Sequence, residues 1–310
     1  MHKVAFIFPG QGSQKVGMGK DAFEADALAR EIFERADVAL GFSLSELCFE
    51  GPEDELRLTA NTQPAILTVS YALYRALGET PDWVAGHSLG EWSANVAAGS
   101  IAFDDAVRLV RARGQYMQEA VPVGKGAMSA VLRAERALVD SICAETEGVV
   151  EAVNYNSPGQ IVIAGEAEAV ARAGERLKEE KARVMPLPVS APFHCSLMKP
   201  AEERLKSDLD HLEFRDPELR LYANVTAEPI ERGAGLKEAL TLQVSRPVRW
   251  DELITRMIAD GAGLFVEIGP GRVLTGLVGR IDKSVRAISV QSIDELESAR
   301  EAIREFRAGQ

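Results

Sequence analysis

Residues 4–8 form a continuous apolar run, the pattern of a strand covered on both faces. Further strands are predicted at 83–85, 126–132, 149–154, 160–164, 183–189, 219–224, 263–268 and 285–290. Between them the apolar positions move to helical spacing. Over 21–40, Leu28, Ile32, Ala36 and Leu40 recur every four residues. A second helix, capped by Asn61 or Thr62 with Pro64 in its first turn, carries the stripe Ile66, Val69, Leu73, Ala76 and Leu77 and stops at Gly78. Residues 41–60 are mixed and turn-rich, and 243–250 reads as a polar loop. Helices are also expected over 103–121, 135–147, 166–181, 199–211, from Asp251, before the strand at 285–290, and at the charged end of the chain.

Strands alternating with helices indicate an α/β protein. Residues 126–190 follow their own order, β-α-β-β-α-β, which is ferredoxin-like. The sequence therefore predicts a small ferredoxin-like subdomain (126–190) inserted into a large α/β-hydrolase-like domain with a parallel central sheet (1–125 and 191–310). The hairpin loop of the insertion is Asn154-Tyr155-Asn156-Ser157-Pro158-Gly159, turn chemistry throughout.

The length of 310 residues and a hydrophobic share of 46% agree with about two domains and a sizeable core. No apolar run is long enough to span a membrane, and Met1-His2-Lys3 leads straight into a strand, so neither a membrane span nor a secretory signal is expected. The three cysteines, Cys48, Cys143 and Cys195, are far apart, which argues for a reducing, cytoplasmic setting. A net charge of −12 disfavours nucleic acid as a partner. No metal-ligand spacing occurs.

The chemistry concentrates around residues 83–94. Strand-type residues lead into Gly86-His87-Ser88-Leu89-Gly90, and small helix formers follow. Strand, sharp turn and helix around G-x-S-x-G are the context of a nucleophile elbow, with Ser88 at its tip. Gly10 and Gly12, after the first strand, leave backbone N–H groups free in a tight loop that suits an oxyanion or serves as a plain turn. In the helix 103–121, Ala106, Leu109, Val110, Arg113 and Met117 share one face. Arg113 thus lies on an apolar stripe. It either pairs with a buried Asp or Glu or provides a bidentate seat for a substrate carboxylate. Of the four histidines, His2 is terminal, His211 lies in a charged helix tail, and His87 diverges from Ser88 along the strand–turn. His194, in a loop between prolines, is the candidate base for a serine that needs one. Its neighbour Cys195 reads as a small packed residue.

Phe8-Pro9-Gly10-Gln11-Gly12-Ser13-Gln14, Gly86-His87-Ser88-Leu89-Gly90-Glu91, Arg113-Gly114, Pro192-Phe193-His194, Gln243 and Glu267-Ile268-Gly269-Pro270-Gly271 occur in an order and spacing that closely resemble the malonyl-CoA:acyl carrier protein transacylases of fatty acid synthesis. Related acyltransferase domains of polyketide synthases share the set. The resemblance implies Ser88 as the acylated nucleophile, His194 as its base, and Gln243 as the residue that orients the histidine, in part through its backbone carbonyl. It implies oxyanion-hole N–H groups from Gln11 and Leu89, and Arg113 as holder of the malonyl carboxylate. His87 and Phe193 become further substrate contacts, Phe193 as the malonyl-selecting form of its motif. The family uses no acidic third member. No permanent cofactor is implied; a coenzyme A thioester is the substrate and an acidic, phosphopantetheinylated acyl carrier protein the partner. Rival functions are a serine esterase or thioesterase, a free-standing polyketide acyltransferase, and a non-catalytic carrier-docking module.

Overall fold

A computed structural model of the chain describes residues 3–189 and 191–309; His2, named above, and Ser190, the last residue of the expected insertion, lie outside them. Two sheets organise the described residues. The strands, in chain order, are β1 (Lys3–Phe8), β2 (Trp83–Gly86), β3 (Gly126–Leu132), β4 (Val150–Ser157), β5 (Gln160–Glu166), β6 (Arg183–Pro186), β7 (Arg220–Tyr222), β8 (Pro229–Ile230), β9 (Ala262–Ile268) and β10 (Arg286–Val290). The larger sheet runs β10-β9-β1-β2-β7-β8 and is parallel except for the antiparallel edge strand β8. The smaller sheet, β4-β5-β3-β6, is wholly antiparallel.

The apolar run of β1 is central and sealed on both faces. Side chains alternate across a strand. Val4, Phe6 and Phe8 accordingly enter one core, while Ala5 and Ile7 enter another on the opposite face, with Trp250, Leu253 and Phe265. Every one of the five is fully buried. A third core, including Val131, Val139, Ile163 and Leu177, lies between the smaller sheet and the helices Arg136–Glu145 and Ala167–Glu179. Strand β4 also bonds through the main chain to the segment before the helix Trp250–Ala259: Tyr155 N–H donates to the Val248 carbonyl at 2.9 Å, and Val248 N–H to that of Val153 at 2.8 Å.

Several sequence expectations are corrected. The helix expected over 21–40 is two, Lys20–Ala25 and Ala27–Leu40. Asp26 breaks it with an extended backbone and caps the second helix by accepting from Ala29 N–H. The new helix turns its buried stripe to Ala29, Ile32, Phe33 and Ala36 and leaves Leu28 exposed. The turn-rich stretch 41–60 contains two short helices, Leu44–Glu50 and Glu53–Arg57. The next helix, Thr59–Leu77, starts earlier than expected. Leu58 is at its N-cap, and Asn61 and Thr62 instead donate back to the Glu55 and Leu56 carbonyls, leaving Pro64 beyond the first turn. Strand β6 stops at Pro186, short of Val189. The helix Gly233–Leu242 and strand β8 were not foreseen. That helix ends at Gln243, so Gln243 is a C-cap rather than the start of a free loop.

The elbow fixes the placement of everything near Ser88. A Cβ on Gly86 would lie 1.9 Å from the Gly90 carbonyl carbon, and one on Gly90 would lie 1.9 Å from the Phe8 carbonyl oxygen. Both neighbours are backbone and cannot rotate away. Gly86→Ala and Gly90→Ala are each expected to cost about 3 kcal/mol or more, or to prevent folding. Gly276→Ala, in the helix Val273–Ile281 with open space at the Cβ position, should be neutral or stabilising by up to about 1 kcal/mol. Denaturant unfolding of the three variants checks this; equal effects would mean the elbow can widen.

Candidate active site

Strand β2 delivers the chain to a reversal in which Ser88 adopts φ 51°, a left-handed conformation that non-glycine residues rarely occupy. Asn224, just beyond the neighbouring strand β7, clamps both sides of the turn. Its Oδ1 accepts from Ser88 N–H at 2.7 Å, and its Nδ2 donates to the Gly86 carbonyl at 2.7 Å. The hydroxyl is thereby presented at the carboxyl ends of the parallel strands, where ligands of open α/β sheets bind.

His194 arrives from the loop between β6 and the helix Lys199–Leu209, also with positive φ, at 65°. It is buried, and its Nε2 lies 2.7 Å from Ser88 Oγ. Its Nδ1 lies 2.7 Å from the Gln243 backbone carbonyl. A carbonyl only accepts, so Nδ1 carries the proton and Nε2 keeps its lone pair toward the serine O–H. Burial, reinforced by the charge of Arg113, pushes the imidazole down from 6.5 to about 3. The ring is therefore neutral at physiological pH and available as a base.

Arg113, from the helix Phe103–Glu119, is 1% exposed. Its Nη1 donates to Gln63 Oε1 at 2.8 Å, its Nη2 to Gln243 Oε1 at 3.0 Å and, at the long limit of 3.5 Å, to Ser88 Oγ. Its Nε is buried without a partner. Among the described residues Arg113 makes no direct salt bridge; the buried carboxyl whose charge acts on it, Glu91, lies beyond the Gln243 amide. Burial lowers the guanidinium to about 10, still fully charged at neutral pH, while the charge of Glu91 opposes that shift.

These groups face a cleft of about 340 Å³ between the two sheets. Gln11 and Leu89 line it beside Ser88, and among the described residues neither backbone N–H is engaged in a hydrogen bond. Gln11 Nε2 points away, to Thr59 Oγ1 at 3.3 Å. Phe193 is buried in the wall next to His194. His87, also in the wall, bonds Asn156 Oδ1 through Nε2 at 2.8 Å and packs edge-on against Trp250. Seven of the eight residues singled out in the sequence therefore line one cleft, and the eighth, Gln243, is buried behind it against His194 and Arg113. Sequence reasoning missed Gln63, Glu91 and Asn224. The phase argument that found Arg113 applies equally to Gln63, which shares a helical face with Ile66 and Leu67. Among the described residues no cluster of His, Cys, Asp and Glu could hold a metal, and all three cysteines are free and buried.

Fold and cleft together are those of an acyl-transferring enzyme. The chain belongs to the acyl transferase domain family, whose sequence model matches residues 5–306. It is 47% identical over 313 residues to the malonyl CoA-acyl carrier protein transacylase of Bacillus subtilis (strain 168), covering 98% of each chain. The crystal structure of an acyl carrier protein S-malonyltransferase from Vibrio cholerae superimposes with a TM-score of 0.94 at 45% identity, covering 96% of this chain and 99% of the other. A malonyl-transacylase in complex with its type II PKS acyl-carrier protein matches with a TM-score of 0.94 at 44% identity, over 97% and 99% of the two chains.

The depressed imidazole has a directional consequence. Because folding lowers the proton affinity of His194, the unfolded chain binds the proton first below about pH 6.5. This histidine's contribution to stability is thus present above that value and is lost as pH falls toward 3. For the same reason, labelling of Ser88 by a neutral phosphonate should persist to below about pH 5. A rate that falls with a midpoint near 6.5 would show that His194 titrates as an exposed imidazole.

Proposed function

We propose that this chain moves a malonyl group from coenzyme A to the phosphopantetheine thiol of acyl carrier protein, for fatty acid synthesis, through an acyl-serine intermediate. The observation that carries this is Arg113: a buried, permanently charged guanidinium that makes no direct salt bridge among the described residues, set beside the Ser88–His194 pair in the cleft. A simple ester or acetyl group offers nothing to neutralise it. A malonyl carboxylate does, through a charge-assisted contact that Gln63 and Gln243 pre-orient.

In the forward half-reaction His194 Nε2 takes the Ser88 proton as Oγ attacks the thioester carbonyl. The Gln11 and Leu89 amides serve the tetrahedral oxyanion; one such donor is typically worth about 3–4 kcal/mol of barrier. The C–S bond breaks and coenzyme A leaves as a thiol, protonated by His194. The carrier's thiol then enters, gives its proton to His194 and attacks the acyl-serine; the C–Oγ bond breaks, Ser88 takes the proton back from His194, and the malonyl group leaves as the carrier's thioester. The Gln243 carbonyl holds the Nδ1 proton throughout, so a neutral acceptor orients the imidazole where other serine enzymes use a carboxylate. Phe193 narrows the acyl pocket, and His87, tied to Asn156, shapes the opposite wall.

The same proposal treats 126–190 as an inserted ferredoxin-like subdomain and 1–125 with 191–310 as a hydrolase-like large domain. The β-α-β-β-α-β order, the separate third core and the antiparallel sheet support the first. The parallel sheet with an elbow after β2 supports the second. No described helix is long and apolar enough to cross a membrane.

Ser88→Ala should abolish the malonyl-enzyme adduct seen by intact-mass spectrometry after incubation with malonyl-CoA; an adduct of undiminished yield would place the nucleophile elsewhere. Arg113→Ala should reduce malonyl transfer by about a hundredfold or more while affecting acetyl transfer far less. Equal losses for the two acyl groups would reduce Arg113 to a structural residue.

A further inference from the structure

Glu91 lies at the start of the helix Gly90–Ala97 that carries the elbow, and it is fully buried. Its Oε2 accepts from Asn224 N–H at 2.9 Å and from Gln243 Nε2 at 2.8 Å. Its Oε1 is buried with no partner. Among the described residues Glu91 makes no ion pair, and Arg113 is the one titratable neighbour whose charge acts on it. A single amide spans the two: Gln243 accepts from Arg113 through Oε1 and donates to Glu91 through Nε2.

Among the described residues, the elements around this helix add no second cation at Glu91; in the helix Phe103–Glu119, Arg108 pairs with Asp105 and Arg111 bonds Asn61. In β1, Lys3 pairs with Asp82 at 2.9 Å. At the end of β2, His87 is held by Asn156. The helix Thr59–Leu77 offers neutral Gln63 to the cleft, and its Arg75 bonds Tyr71. In the helix Gly233–Leu242, Lys237 pairs with Asp210 at 3.2 Å. The loop histidine, His194, faces Ser88 and the Gln243 carbonyl. One buried cation and one buried carboxyl thus share the interior behind the nucleophile.

A substrate carboxylate seated on Arg113 changes that balance. With Glu91 ionised, two anions would face one cation in a low-dielectric interior, where an uncompensated charge is costly. We propose that Glu91 is a proton-linked counter-ion: ionised opposite Arg113 in the free enzyme, it takes up one solvent proton when the malonyl carboxylate takes over the guanidinium. No bond to substrate is made or broken in this step; a carboxylate and a solvent proton become a carboxylic acid. Oε1 is the oxygen that receives the proton, because Oε2 already accepts two N–H donors and both bonds then survive. Glu91 is in this sense a positioning residue, acting through Gln243 on both Arg113 and the Ser88 turn. Burial raises its carboxyl from 4.5 to about 7, against the Asn224 and Gln243 donors and the charge of Arg113, so the proton is exchangeable near neutrality.

This inference rests on Arg113 being the malonyl seat, and the test separates the two. Purified enzyme is acylated stoichiometrically with malonyl-CoA or acetyl-CoA at about pH 7.5 in weak buffer containing a pH indicator. Proton uptake is read per mole of acyl-enzyme, counted by intact mass. The wild type should take up roughly half a proton or more with malonyl and none with acetyl. Glu91→Gln, which keeps the acceptor for Asn224 and Gln243, should take up none with either. Correspondingly, wild-type KM for malonyl-CoA should rise with pH above about 7, by up to tenfold per unit, while that for acetyl-CoA does not. Equal uptake with both acyl groups, or undiminished uptake in Glu91→Gln, overturns the proposal. If that variant does not fold, infrared difference spectra of the wild type decide. A new protonated-carboxyl band on malonylation, shifted by isotopic labelling of glutamate, supports the proposal, and no such band overturns it. Loss of malonyl selectivity in Arg113→Ala, together with absent proton uptake in the wild type, would sink the Glu91 inference and leave the seat standing.

Discussion

A guanidinium that cannot give up its charge is buried beside the Ser88 hydroxyl, and much of the surrounding structure exists to hold it there. Two neutral amides, Gln63 and Gln243, take its N–H groups, and the nearest buried carboxyl, Glu91, is kept one amide away. A direct ion pair would satisfy the charge permanently and leave nothing to offer a ligand. Neutral acceptors fix the geometry of the fork while leaving it without a directly bonded anion, which is the condition for differential attraction of an anionic acyl group.

The same logic governs the histidine. Burial and the adjacent cation both disfavour protonated His194, and a backbone carbonyl, which carries no net charge, holds Nδ1. A carboxylate in that place would attract Arg113 and raise the imidazole's proton affinity together. Gln243 serves both groups at once, its main chain orienting the histidine and its side chain the arginine. Its position at the C-cap of the helix Gly233–Leu242 makes that double use possible, since the backbone turns there and frees the carbonyl from the helical ladder.

Two of the five non-glycine residues with positive φ among the described residues belong to this cluster. Ser88 and His194 both adopt positive φ, a cost of order 1–3 kcal/mol each that the surroundings must impose. For Ser88 the means are visible: Gly86 and Gly90 admit the close approach of backbone to backbone, and Asn224 bonds both sides of the turn. That strain was legible in advance because glycine spacing records it. The strain at His194 was not, because nothing in Pro192-Phe193-His194 specifies left-handed backbone.

The sequence by itself determined the elements whose cause is local. An unbroken apolar run dictated the doubly covered β1, paired glycines dictated the elbow, and helical phase put Arg113 inside. It misjudged the helix over 21–40, where one capping aspartate outcompetes continued helix and rotates the buried face, and it passed over the helix Gly233–Leu242. Only the tertiary structure decided which groups share the cleft. The serine, the arginine, the histidine and the bridging glutamine come from four segments far apart in the chain. Whether Arg113 is ion-paired, which nitrogen of His194 holds the proton, and that Glu91 lies behind them all depend on contacts between those segments, and no periodicity within any one of them encodes such a contact.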